Sequence, residues 1–369
     1  MRTFCYGFLG VLLPIYLTGL GMSTAGVGVS ITLTLVGSAI LTYGVRKPLE
    51  RFGTRKALVA LSFLCFASAV LFLVSRSPWV VVFAAMIGNL AVSVGETGPF
   101  LSIEQVILAR AIPFEKRTAA LSYYHFVGYG AAALGAAVYG LVSGAPTLFA
   151  VFLVASIVQL GAFWQLSSQR VEHKNSGRFF SSSPVIRKIA ALFSLDSFGG
   201  GFVLQSLVAF YFYKRFGLTK EALGGVFFAS QILPAISLLL APWLAKRIGL
   251  LNTMVSTHLV SNGFLIAIAI APSPAIAIAC WLGRQLLSQM DVPTRQAYLM
   301  AIVDDSERED AALTTTLTRT VTQAVSPSIA GWAMSAMSMS APFAFGGIIK
   351  TIYDITIWQM FRKVPLKET

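Results

Sequence analysis

Charge is scarce in this sequence. Asp, Glu, Lys and Arg make up only 12% of its 369 residues, whereas 56% of the residues are hydrophobic. A soluble domain carries about 25% charged residues. The shortage argues against a soluble protein and favours one that has lipid as its solvent.

Cysteine is nearly absent as well, since the chain holds only Cys5, Cys65 and Cys280. All three lie in apolar runs at unrelated spacings, which is typical of small buried side chains and not of disulfides or metal ligands. The sequence also lacks His-Glu-x-x-His, Gly-x-Ser-x-Gly and a phosphate-cradling loop. We therefore expect no enzyme, no cofactor and no metal ion.

Acidic residues are outnumbered: 15 Asp and Glu stand against 28 Lys and Arg, for a net charge of +13. In a soluble protein this excess would suggest a nucleic-acid partner. Here the basic residues lie in short loops between apolar runs, which is the pattern of cytoplasmic loops in membrane proteins. We expect the lipid bilayer as a partner and no nucleic acid.

Apolar stretches run through the whole chain, and a membrane span needs about 20 apolar residues. Twelve candidates lie at residues 4–19, 26–45, 57–74, 79–108, 119–142, 147–166, 189–212, 223–245, 250–271, 274–300, 311–337 and 342–360. The loops after the even-numbered stretches carry most of the charge, so the positive-inside rule places both termini in the cytoplasm. The sequence predicts an all-α membrane protein with twelve transmembrane helices. The first stretch is short, which leaves open a start upstream of Met1.

The stretches divide into two halves. The longest polar segment follows the sixth stretch, and we interpret 168–188 as a cytoplasmic linker between six-helix bundles at 1–167 and 189–369. The basic turn Glu50-Arg51-Phe52-Gly53 returns as Lys246-Arg247-Ile248-Gly249, 196 positions later. A motif found once in each half predicts a parallel duplication of one unit.

These features resemble the major facilitator superfamily, over nearly the whole chain. The family's signature loop is Gly-x-Leu-x-Asp-Arg-x-Gly-Arg-Arg, and residues 46–55 match it at Arg51, Gly53 and Arg55, with Glu50 in place of Asp. The segments 98–100, 195–200 and 289–296 look like a widespread prokaryotic branch of that family. The resemblance implies a secondary transporter, monomeric, in the cytoplasmic (inner or plasma) membrane.

The basic turn is predicted to act as a cytoplasmic gate formed by Glu50, Arg51, Gly53 and Arg55. Gly53 permits a backbone conformation that a Cβ would penalise. The resemblance implies that Glu50 lies against the amino end of the eleventh helix, whose partial positive charge attracts an anion. The alternative is that these charges only set topology.

An ionisable group inside a membrane costs about 2.5–3.5 kcal/mol, so it needs a partner, a wet cavity or a function. The resemblance places the first, fourth, seventh and tenth spans around a central cavity. In the fourth span Asn89 and Glu96 share one stripe, and Pro99 should kink or break the helix. Carbonyls freed beside an acid suit a midplane site, so Asn89 and Glu96 are candidate substrate ligands. Glu96 is also a candidate proton acceptor, the alternative being a structural carboxylate. Glu104, further along, is interpreted as a gate or topological charge.

The seventh span holds Asp196, then three glycines at 199–201, then Gln205. Glycines cost about 1 kcal/mol each relative to Ala in a helix, so they indicate a close approach or a bend. Asp196 is a candidate proton acceptor, with an ion pair to an arginine of the same half as the alternative. Gln205 is a candidate substrate ligand.

The tenth and eleventh spans contribute Arg284, Gln285, Asp291 and Arg319. A buried arginine suits a carboxylate or phosphate because its fork donates two parallel hydrogen bonds. We therefore assign Arg284, Gln285 and Arg319 to substrate binding and Asp291 to proton coupling. Arg284 could equally neutralise Asp291 or Asp196. His258 and Asp354, in the ninth and twelfth spans, are interpreted as structural.

The sequence thus predicts a transporter that moves a small-molecule substrate by alternating access and is coupled to protons. The arginines favour an anionic solute, and efflux of an amphipathic compound is the other substrate class considered. The alternatives are a non-transporting sensor or assembly factor on the same scaffold, and a lipid flippase.

Overall fold

The structure, a computed structural model, describes residues 1–92, 98–167, 183–304 and 307–364. The regular secondary structure of these residues is helical. The helices are α1 (Arg2–Gly19), α2 (Thr24–Gly44), α3 (Arg46–Val74), α4 (Pro78–Ile87), α5 (Pro99–Ala111), α6 (Phe114–Leu141), α7 (Ala145–Trp164), α8 (Pro184–Gly201), α9 (Gln205–Phe216), α10 (Lys220–Ile248), α11 (Leu250–Ala269), α12 (Pro274–Leu287), α13 (Asp291–Ile302), α14 (Arg308–Ala336) and α15 (Ala341–Phe361).

These helices follow the twelve predicted stretches, and the fourth, seventh and tenth stretches each form two helices instead of one. Among the described residues, six helical segments are long and apolar enough to cross a membrane: Thr24–Gly44, Lys47–Val74, Ala145–Trp164, Pro184–Phe216, Lys220–Leu238 and Leu250–Ala269. Twelve crossings and their orientation therefore stay predictions.

The basic segment after the second stretch is helical, where the sequence suggested a loop. α3 begins at Arg46, so only Val45 separates it from α2. Leu, Glu, Arg and Lys are strong helix formers, and their propensity prevails over the turn signal. The helix is interrupted at Gly53, whose φ of 82° and ψ of 173° are not helical.

Gly53 and its counterpart in the echo adopt nearly the same backbone conformation. Gly249, which caps the start of α11, has φ 84° and ψ 162°. This region of backbone space is open essentially to glycine alone. The prediction that Gly53 needs a glycine is confirmed, and the match supports the interpretation of the two segments as copies.

Alanine at either glycine is expected to be costly. Gly53→Ala and Gly249→Ala should each lower the free energy of unfolding by about 1–3 kcal/mol, because each forces a Cβ into this region. Gly161→Ala is the matched control: Gly161 lies inside α7, and its Cβ would meet no atom within 4 Å. Chemical unfolding in detergent micelles measures all three. A Gly249→Ala protein as stable as the control would contradict the strain.

The break in the fourth stretch is the one predicted at Pro99. α4 ends at Ile87, and α5 begins at Pro99. Gly98 has φ 111°, and a Cβ there would lie 2.7 Å from Asn89 Oδ1. Asn89 itself has φ 50°, uncommon for a residue with a Cβ. Gly98 and Pro99 therefore start α5, whereas α4 has already ended at Ile87, just before Asn89.

The seventh stretch breaks directly after the three glycines. α8 ends at Gly201, and the amides of Phe202 and Val203 donate to carbonyls three residues back, at Gly199 and Gly200. Leu204 is extended before α9 starts. A Cβ on Gly199 would lie 2.8 Å from Lys350 Cγ. The glycines thus serve both predicted purposes, a close approach and a bend.

The tenth stretch breaks at 288–290, which the sequence analysis did not predict. The amides of Met290 and Val292 donate to carbonyls three residues back, at Leu287 and Gln289. Pro293 has no amide hydrogen, and its ring opposes a helical carbonyl at Gln289. A new helix, α13, therefore begins at Asp291.

The described contacts group the chain into two compact units. The first consists of Met1–Lys174 with Leu204–Gln231, and the second of Asn175–Val203 with Ile232–Thr369. In the first, α1 packs against α6, α7 and α9, and α3 packs against α4 and α7. In the second, α8 packs against α14 and α15, and α11 packs against α12, α13 and α15. The domain boundaries at 167 and 189 stay predictions. Residues 168–182 of the linker lie outside the described ranges.

Candidate functional site

The second unit contains a buried cluster of charged side chains centred on Asp196 of α8. Arg295 of α13 donates from Nη1 to Asp196 Oδ2 at 3.0 Å and to Asp291 Oδ2 at 2.7 Å. Lys350 of α15 donates to Asp196 Oδ1 and, at 3.3 Å, to the Asp196 backbone carbonyl. All four side chains are at least 93% buried. One carboxylate thus joins three helices through two cations.

The cluster extends to α11, the helix formed by the ninth stretch. His258 of α11 lies between two acids, with Nε2 3.5 Å from Asp196 Oδ1 and Nδ1 2.8 Å from Asp354 Oδ1. Asn262, one turn further along α11, donates to Asp354 Oδ2 at 2.7 Å. A titratable ring between two carboxylates can relay a proton from one to the other. We call Asp196, Asp291, Arg295, His258, Lys350 and Asp354 the charge cluster.

The two arginines that the sequence assigned to substrate binding also lie in the second unit. Neither has a described carboxylate within 4.0 Å. Arg319 of α14 donates from Nε to Ser197 Oγ at 2.8 Å. Arg284 of α12 donates from Nη1 to Gln285 Oε1 at 2.5 Å and lies over the ring of Trp281. Its buried Nε has no partner among the described residues. Among the described residues neither arginine forms an ion pair with Asp196 or Asp291, and the role of both in substrate binding stays a prediction.

The remaining candidate substrate ligands belong to the first unit, and the structure describes only some of them. Asn89, only 2% exposed, has neither side-chain amide atom hydrogen-bonded among the described residues. Gln205, the first residue of α9, accepts a hydrogen bond at 2.7 Å from Gln231. Glu96 lies outside the described residues, as does all of 93–97. The site roles of these residues stay predictions.

The gate residues lie on the first part of α3. Glu50 and Arg51 are exposed, and Arg51 lies over the ring of Phe52 at 5.2 Å. Arg55 is partly buried and faces the ring of Trp164 at 5.8 Å. Their role as a gate also stays a prediction.

The first unit contains a half-open cavity of about 620 Å³ between α1, α5, α6 and α7, with Gln231 of α10 at its wall. Arg2 makes a bidentate pair with Glu104 inside it, at 3.1 and 2.9 Å. Tyr124 also donates to Glu104, and Arg2 lies 4.1 Å from the ring centre of Phe100. Glu104 is therefore a partnered residue of the cavity wall, and its interpretation as a gate or topological charge stays a prediction.

The sequence analysis identified the buried acids but not the cations that pair with them. Lys350 went unnoticed although it is a cation in an apolar stretch, one helical turn before Asp354, which is a usable signal. Arg2 resembles an ordinary topogenic charge, and nothing local marks it as a cavity residue. Among the described residues, no three His, Cys, Asp or Glu side chains are arranged to hold a metal ion.

Helices broken beside buried charges, in a chain with several apolar helices of spanning length, define a multi-pass membrane protein. Residues 1–287 match the sequence profile of the Major Facilitator Superfamily, and the chain belongs to this superfamily. The family consists of membrane transporters and not of enzymes, so a small-molecule substrate follows.

Known relatives agree on the class and the fold. An uncharacterized membrane protein of Saccharomyces cerevisiae, YJR124C, is 22% identical over 416 residues, covering 100% of this chain and 93% of the yeast protein. A crystal structure of a variant of the nucleoside transporter NupG matches with a TM-score of 0.79 at 11% identity, covering 98% of each chain. A D-xylose-proton symporter matches with a TM-score of 0.69 at 13% identity, covering 99% of this chain and 97% of the other. These structures show the fold alone.

Proposed function

We propose that the protein is a secondary transporter that moves a small solute by alternating access and couples this movement to protons. The observation that carries the coupling is the charge cluster, in which Asp196 contacts two cations and a histidine while buried. Asp196 and Asp291 are paired with only these two cations among the described Lys and Arg side chains, so losing one cation leaves one buried carboxylate uncompensated, and binding a proton removes that charge. Movement of Lys350 or Arg295 away from Asp196 would therefore link a change in shape to proton uptake.

The charge cluster contains a path for a proton as well as a group that can accept it. His258 can pass a proton between Asp354 and Asp196 because each of its ring nitrogens faces one carboxylate. Asp291 shares Arg295 with Asp196, so a proton on either acid changes the charge that Arg295 must balance. One structure of the same fold is named as a proton symporter, which supports coupling as a precedent.

The topological predictions belong to the same proposal. Twelve crossings and two duplicated halves are supported by the course of the helices and by the shared backbone conformation of Gly53 and Gly249. The cytoplasmic termini and the monomer stay predictions. The prokaryotic branch, the cytoplasmic membrane and outward transport stay predictions, and a curated relative comes from a yeast.

A screen followed by a flux assay tests the function. Purified protein is first screened by thermal shift against metabolites, drugs and lipids, since a ligand that binds only the folded state stabilises it by mass action. Each hit is then offered to proteoliposomes that contain a pH-sensitive dye. We expect one hit to move protons across the membrane only when protein is present. A hit that binds but produces neither solute nor proton flux would favour the sensor, and movement of labelled lipid alone would favour the flippase.

A further inference from the structure

The cavity of the first unit has the size of a ligand site. Its volume of about 620 Å³ lies within the range of about 300–1,000 Å³ that small-molecule pockets occupy. Most of its wall is apolar or aromatic, including Leu101, Tyr129, Val158 and Phe163. Such a wall suits an organic molecule with an apolar body.

Among the described Asp, Glu, Lys and Arg side chains of the cavity wall, Arg2 and Glu104 balance one another. Arg2 and Glu104 satisfy one another through two parallel hydrogen bonds, and Tyr124 adds a third to the carboxylate. A ligand with a net charge would have to displace one member of this pair or remain unpaired in an apolar site, and both are costly. The described wall therefore favours an uncharged ligand.

One acceptor in the wall lacks a donor. Gln231 is only 2% exposed and donates from Nε2 to Gln205, but its Oε1 has no hydrogen-bond partner among the described residues. A buried carbonyl oxygen without a donor costs about 1–3 kcal/mol. Because Oε1 is itself fully buried, a ligand recovers this cost by donating to it once the Gln231 side chain turns toward the cavity. The ligand should therefore carry a hydrogen-bond donor.

An almost wholly apolar groove of about 550 Å³ adjoins the cavity and shares Met1 and Val158 with it. A ligand dissolved in the bilayer can cross such a surface without losing polar contacts. This favours an amphipathic molecule over a strongly polar one.

We infer that this cavity binds an uncharged amphipathic molecule with an apolar or aromatic body and one hydrogen-bond donor. The inference rests on the proposed function only in taking this molecule as the transported solute. It differs from the anionic substrate that Arg284 and Arg319 suggest.

Two glycines of α6 provide a matched pair of variants. Gly128 lines the cavity, Gly130 does not, and neither would place a Cβ within 4 Å of another atom. Two residues rotate by about 200° around a helix, so they point to different sides. Gly128→Trp should fill the cavity, whereas Gly130→Trp adds the same side chain elsewhere.

The probe is phenylnaphthylamine, which is uncharged, aromatic and carries one N–H. Its fluorescence is titrated against the full-length protein in nanodiscs, with empty nanodiscs subtracted. We expect Gly128→Trp to weaken binding at least about tenfold and Gly130→Trp to leave it within about twofold. Gln231→Met, which removes the acceptor, should weaken it roughly tenfold. Anilinonaphthalene sulfonate, the same skeleton with a negative charge, should bind at least about tenfold more weakly than phenylnaphthylamine.

Equal binding by the parent and Gly128→Trp overturns the inference, and so does an equal loss in both tryptophan variants, provided that thermal unfolding shows all of them folded. Tight binding of the sulfonate overturns the claim that the ligand is uncharged. Flux of a solute that Gly128→Trp leaves unchanged would place the substrate elsewhere and leave the transport function standing. If phenylnaphthylamine binds at the cavity but no hit of the thermal-shift screen produces solute or proton flux, the transport function fails and the site stands.

Discussion

The Arg295→Met variant is expected to be less stable than the parent protein by about 3–5 kcal/mol, the usual cost of breaking a buried ion pair from one side. Arg295 is the shared cation of Asp196 and Asp291, and all three side chains are 95% buried. Met has a similar length but no charge, so Asp291 would lose its described ion pair, while Asp196 would keep Lys350 and His258. Denaturant unfolding in detergent micelles, followed by circular dichroism, measures the loss.

Arg319→Met is the matched control for this prediction. Arg319 also lies within the second unit, but it donates to the Ser197 hydroxyl and has no described carboxylate within 4.0 Å. Its removal should cost about 1.5–3 kcal/mol, the value of one charged hydrogen bond, and less than the loss in Arg295→Met. Equal losses in the two variants would show that the pairing of Arg295 with the acids is not what stabilises the unit.

A double variant tests the pairing itself. Adding Asp291→Asn to Arg295→Met removes the carboxylate that lost its described ion pair, so it should recover part of the lost stability. Residues in one ionic network show interaction energies of about 0.5–3 kcal/mol in such cycles. Strictly additive losses would mean that Arg295 and Asp291 do not interact in the folded protein.

Local chemistry explains which features of the fold could be predicted. The start of α5 at Pro99 follows from the covalent structure of proline, and the special conformation of Gly53 follows from its missing Cβ. The break at 288–290 has the same kind of cause in Pro293. It was not predicted because residues 274–300 were interpreted as one continuous span.

Long-range pairing explains what the sequence could not show. Asp196 was identified as a buried acid, and its predicted alternative, an ion pair with an arginine of the same half, matches the contact with Arg295. That Lys350 and His258 also meet Asp196 depends on how α8, α11, α13 and α15 pack, and residues 62 to 154 positions apart carry no local trace of that packing. The same holds for Arg2 and Glu104, which are 102 positions apart.

Asp196→Asn is expected to abolish accumulation driven by a pH gradient while leaving solute exchange in place. Asn keeps the shape of Asp and can still accept from Lys350, but it cannot take up or release a proton. Across a gradient of about one pH unit, a coupled transporter can accumulate solute about tenfold per proton, because 1.4 kcal/mol is a factor of ten. The variant should reach a concentration ratio of about one, measured with the solute found by the thermal-shift screen in proteoliposomes.

A second substitution separates coupling from stability. Asp196→Asn leaves the Lys350 ammonium buried without its carboxylate, so some of its effect could come from misfolding. Asp196→Asn with Lys350→Gln removes both charges and should regain thermal stability, yet it still has no proton acceptor at this position. We therefore expect the double variant to be stable, to exchange solute and to remain uncoupled. If it accumulates solute under the gradient, the proton is carried by another group, and Glu96 becomes the acid to test next with Glu96→Gln.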